Sequence, residues 1–86
     1  MTRSEKTLFQ VLRGTSDANI RFCDLRTLLE GLGFTERIKG SHHIFTREGV
    51  EEIMNLQTRG TKAKAYQVVQ VPNVILKYRL ARHGDE

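Results

Sequence analysis

The spacing of apolar positions along this chain changes from helical to alternating and back, and each change marks a new class of element. Over residues 4–13, Leu8, Val11 and Leu12 recur at helical spacing, with Ser4 as N-cap, Glu5 in the first turn and Gly14 as the stop. Residues 15–19 are a turn-rich connection, and Ile20-Arg21-Phe22 leads in extended form to a second helix. Asp24 caps that helix, Leu25, Leu28, Leu29 and Leu32 form its i, i+3, i+4, i+7 stripe, and Gly33 ends it. From Phe34 the period falls to two. Residues 34–39 read as a half-buried strand, Gly40-Ser41 as a tight turn, residues 42–47 as a second strand, Glu48-Gly49 as a turn, and residues 50–58 as a third strand. In the third strand Met54 and Leu56 share one face, and Ile53, Asn55 and Gln57 the other. Residues 59–64 read as a flexible basic loop. Val68, Val71, Ile75 and Tyr78 then define the buried stripe of a last helix, in which Pro72 predicts either a kink or a later start, and residues 79–86 read as a frayed tail. The sum is an α+β domain whose antiparallel sheet turns one face to helices and the other to water.

Eighty-six residues suffice for one small core but not for a core and a deep substrate cavity, so a ligand is expected to lie across the surface. Fourteen Lys and Arg against ten Asp and Glu give a formal charge of +4, which favours an acidic partner: RNA, DNA or an acidic protein. The single Cys23 excludes an internal disulfide and is expected as a small buried or half-buried residue. No apolar run approaches a membrane span or a signal-peptide core, so a cytoplasmic location is the expectation.

Candidate chemistry concentrates in Lys39-Gly40-Ser41-His42-His43-Ile44-Phe45. Counted from Phe45, strand alternation turns His43 inward with the aromatic ring and His42 outward with Ile44. An outward histidine at a strand entrance, close to Lys39, is placed to move a proton on an anionic ligand. Ser41 shapes the turn. Consecutive strand residues point apart, His83 lies in the tail and Cys23 is alone, so no tetrahedral metal set is visible and no cofactor is expected.

The run Gly40-Ser41-His42-His43-Ile44-Phe45, after a Leu-rich helix ending Leu32-Gly33-Phe34 and before a strand and a C-terminal helix, resembles the HicA family of toxin ribonucleases. The resemblance covers residues 22–80, and residues 4–14 are a helix added to it. It implies a double-stranded-RNA-binding-like α-β-β-β-α fold, cleavage of messenger RNA, neutralisation by a HicB-like antitoxin, and His42 as the catalytic histidine. The added helix and Pro72 depart from the family pattern.

Metal-free RNA cleavage needs a base for the 2′-OH proton and cations for the charge that develops at phosphorus. His42 is the candidate base. Lys39, Arg37, Arg59, Lys62 and Lys64, together with Ser41, are the candidate RNA-binding residues. Two other readings remain open from the residues, a non-catalytic RNA-binding module and an interaction domain for an acidic protein. A monomeric free form is the expectation.

Overall fold

A computed structural model describes residues 3–13 and 20–80. Two helices come first, α1 (Arg3–Arg13) and α2 (Phe22–Gly31), followed by β1 (Thr35–Lys39), β2 (His42–Arg47) and β3 (Val50–Leu56). A small hairpin, β4 (Thr58–Arg59) and β5 (Lys62–Ala63), separates the sheet from α3 (Ala65–Val68) and α4 (Gln70–Lys77). Strands β1, β2 and β3 form one antiparallel sheet in that order. The chain is therefore α+β, with the expected three-stranded sheet.

One core joins helices and sheet. Leu25, Leu28 and Leu29 of α2 meet Phe45, Met54 and Leu56 of the sheet and Val71, Val74 and Ile75 of α4 in a single buried cluster. Val11 and Thr7 of α1 are buried as well, so the N-terminal helix shares in the core. Removing one fully buried leucine, Leu25 or Leu29, would cost about 2–5 kcal/mol through lost transfer energy and the cavity left behind.

Register fixes the faces. Glu36, Phe45 and Met54 are cross-strand neighbours, as are Ile38, His43 and Leu56, and these rows point toward the helices. Arg37, Ile44 and Asn55 form the next row, and Lys39 pairs with His42, so these side chains share the open face. The two-residue loop Gly40-Ser41 sets this register, with Gly40 at φ 62° as the first central position of a type II′ turn requires. Further along, the two steps of β2 from Phe45 to Arg47 lie opposite four steps of β3 from Met54 to Val50, an irregularity the plain alternation does not foresee.

Several local expectations are corrected. The helix α2 starts at Phe22 with extended Arg21 as its N-cap, and Asp24 falls within the first turn, where its charge still suits the helix dipole. Cys23 is exposed. The basic loop over 59–64 is instead a paired hairpin, Thr58 with Ala63 and Arg59 with Lys62, fastened to α2 by an Arg21–Lys62 bridge. The third strand stops at Leu56, since the Gln57 amide donates to Gln67 Oε1 at 2.7 Å instead of continuing the ladder. Ile38, though on the helix-side row, is exposed at the end of the sheet. The last helix breaks at Val69, which puts Pro72 in the first turn of α4; the later start, not a kink, is the outcome.

Helices α2 and α4 close with the same hydrogen-bond pattern. In α2, Phe34 N–H donates to Leu29 and Gly33 N–H to Glu30; in α4, Leu80 N–H donates to Ile75 and Arg79 N–H to Leu76. Each is a Schellman motif, with Gly33 (φ 96°) and Arg79 (φ 54°) in the left-handed position. Leu80 packs on the core, so residues 79 and 80 are folded and not frayed. Ser4 lies inside α1; its side chain, Gly14, the connection 15–19 and the tail 81–86 with His83 lie outside what is described.

Candidate active site on the open face of the sheet

The two adjacent histidines have opposite surroundings, as period-two geometry demands. His43 is largely covered. Its Nδ1 lies 2.7 Å from Glu36 Oε2, and its ring meets that of Phe22 edge-on with centroids 4.6 Å apart. Glu36, whose side chain is only 8% exposed, also accepts from Arg26 Nε (3.1 Å) and Nη2 (2.7 Å) through its other oxygen. A carboxylate this buried is stable because both oxygens are bonded to donors. The Arg26-Glu36-His43 set thus ties α2, β1 and β2 together.

His42 is exposed, and its Nδ1 lies 3.0 Å from Asn55 Oδ1 on the adjacent strand β3. An amide oxygen only accepts, so this bond requires the proton on Nδ1 and leaves the lone pair of the neutral ring on Nε2. That is the arrangement a base needs. Lys39, the cross-strand partner of His42, shares its face, with Arg37 one row further.

A second polar chain fixes the neighbouring cation. Gln57 Nε2 donates to Ser41 Oγ at 3.3 Å, while Gln57 Oε1 accepts from Lys64 Nζ at 3.2 Å and from Gln67 Nε2 at 3.3 Å. The Lys64 amide also donates to the Gln57 carbonyl. Lys64 is thereby held at the foot of the small hairpin, next to the turn that carries His42. Ser41 serves this chain as an acceptor.

The structure therefore brings Lys39, Arg37, Ser41 and Lys64 to the neighbourhood of His42. Arg59 and Lys62 lie apart, paired near the tip of the β4–β5 hairpin against the start of α2. Asn55 and Gln57 join this polar set, although the sequence places them only on the strand face opposite Met54 and Leu56; their approach to His42 and Ser41 depends on the pairing of β3 with β2, over 13 and 16 residues of separation.

Elsewhere, Glu52 bonds Lys77 Nζ (2.8 Å) and the Tyr78 hydroxyl (2.7 Å), linking β3 to α4. The lysine first, then the hydroxyl, pull the Glu52 carboxyl from near 4.5 down to about 2, and the same contact raises Lys77. Among the described residues no group of three or more His, Cys, Asp and Glu side chains converges as a metal site, and no helix is long and apolar enough to cross a membrane. Comparison of the chain with protein-family models, with curated proteins and with solved structures finds no match.

Proposed function

We propose that this protein is an endoribonuclease of the HicA toxin type, cutting messenger RNA in the cytoplasm with His42 as general base. The observation that carries the reading is the His42–Asn55 bond on an open, cation-flanked sheet face, which presents the Nε2 lone pair to solvent. The order helix, three antiparallel strands, helix supports the double-stranded-RNA-binding-like arrangement, with α1 as the added element.

In the proposed step, Nε2 takes the proton of a ribose 2′-OH, and the freed oxygen attacks the adjacent phosphorus. The bond from phosphorus to the 5′-oxygen breaks, leaving a 2′,3′-cyclic phosphate. The departing 5′-oxygen takes a proton from water, and His42 returns its own to solvent. Lys39 and Lys64 offset the charge on the phosphoryl oxygens, and Arg37 holds a neighbouring phosphate. His43, engaged by Glu36 and covered by Phe22, has a structural part.

Control is proposed to act on the same face. An open face has no lid, so inhibition is proposed to come from a HicB-like antitoxin whose acidic surface covers His42 and competes with RNA phosphates. The test is a pair of variants. His42→Ala is expected to abolish cleavage while keeping RNA binding and thermal stability; His43→Ala is expected to lose about 1–3 kcal/mol of stability, because Glu36 is left buried with one partner fewer. Full activity in His42→Ala would remove the catalytic assignment.

A further inference from the structure

We propose that a single RNA strand leaves the His42 face along the β4–β5 hairpin and is gripped by the groove between α1 and α2, which makes the N-terminal helix part of the substrate track. This rests on the reading of RNA as the ligand of the sheet face and extends it to residues that reading does not use.

The hairpin links two cationic regions. Its foot is at Gln57 and Lys64, beside Ser41 and His42. Its far end carries Arg59 and Lys62 and is pinned to the start of α2: Phe22 N–H donates to the Thr61 carbonyl, Ala63 N–H to the Ile20 carbonyl, both at 3.0 Å, and Arg21 bridges to Lys62. Arg21 is also a wall of the groove beyond, an open trough of about 700 Å³ whose other walls include Lys6, Phe9 and Arg13 of α1. Asp24 is the one carboxylate among the described residues lining it.

Three features along this path, from hairpin to trough, fit a polynucleotide. Cations succeed one another from Lys64 through Lys62 and Arg59 to Arg21 and Arg13, matching a ligand whose charge repeats along its length. Phe9, 47% exposed, places an aromatic ring in the same trough, where a base can stack on it. The backbone bonds that pin the hairpin make the link rigid, so the two regions keep a fixed spacing.

Binding measurements on the full chain carrying His42→Ala test this separately from catalysis, with labelled oligoribonucleotides of about 4 and about 16 nucleotides. The longer strand is expected to bind more tightly. Adding Arg13→Ala with Arg21→Ala should weaken the longer strand about tenfold and flatten the plot of log Kd against log salt by about 1.4, the loss of two phosphate contacts on a single strand. Phe9→Ala should weaken binding about fivefold or more with the slope kept. Lys77→Ala, whose cation is engaged by Glu52 on the far side of β3, should change neither. An unchanged slope in the arginine variant, or no gain with length, overturns the proposal even if the wild type cleaves RNA. A wild type that never cleaves, but shows the length gain and the altered slope, overturns the catalytic assignment and leaves this track standing. No RNA binding at all overturns both.

Discussion

His42 and Asn55 show how little chemistry is needed to fix the tautomer of a surface histidine. Without the amide, either ring nitrogen can carry the proton; with Oδ1 at 3.0 Å, one tautomer is favoured by about 1 kcal/mol, the usual net worth of such a bond. In Asn55→Ala the ¹⁵N resonances of the His42 ring should change from the Nδ1–H form to a mixture, and cleavage should fall by about twofold with it. In Asn55→Asp a carboxylate would stabilise the imidazolium, so the acidic limb of the pH–rate profile should move to higher pH while the tautomer is kept. A ring proton found on Nε2 in the wild type would contradict the assignment. The facing of His42 was legible in the sequence because alternation from Phe45 is local. The partner was not, because the approach of Asn55 depends on which β3 residue lies opposite Ile44, and pairing across a turn followed by an irregular stretch does not follow from period alone.

Turns and helix ends decide how the elements meet. Gly40 and Gly33 announce their turns, since both stand in the left-handed region and a Cβ at Gly33 would meet Arg47 Nε at 2.8 Å. Arg79 occupies the equivalent position after α4 with no such signature, which is why the end of that helix read as the start of a frayed tail. Arg79→Gly should relieve left-handed strain and raise stability by about 1 kcal/mol, seen as a higher Tm; a lower Tm would mean that its side chain makes contacts worth more than the strain. The β4–β5 hairpin was illegible for a different reason. Its strands are two residues long, rich in Lys, Arg and Thr, and exist because α2 supplies partners for them through Ile20, Arg21 and Phe22. Cys23 and Asp24 shifted in role because α2 begins one turn earlier than a polar cap implied, with Phe22 already buried.

At the scale of the molecule, the helices and the sheet are joined on one side by Arg26-Glu36-His43 and on another by Glu52-Lys77-Tyr78. The second joint has a pH signature. The Glu52 carboxyl is lower in the folded state than its usual value, so its contribution is present above about pH 4.5 and fades as pH falls toward 2; Lys77, raised when folded, contributes below its usual value near 10.5 and loses this as pH rises further. Urea denaturation of wild type and Glu52→Gln should therefore differ near pH 7 and converge as pH falls to about 2. A constant difference across that range would mean that Glu52 acts through packing. The broad architecture was readable because the apolar stripes of α2, β3 and α4 all end in one core. The joints were not, because each links residues far apart in sequence whose polar side chains look solvated in isolation.

The ends left on a cleaved RNA report most directly on the proposed role of His42. Incubating the purified protein with single-stranded RNA in EDTA and analysing the new ends should give 2′,3′-cyclic phosphate and 5′-hydroxyl termini from the wild type, and no cleavage from His42→Ala. Cleavage that stops on chelation and returns with a divalent ion, or that leaves 5′-phosphate ends, would contradict a histidine base acting on the 2′-OH.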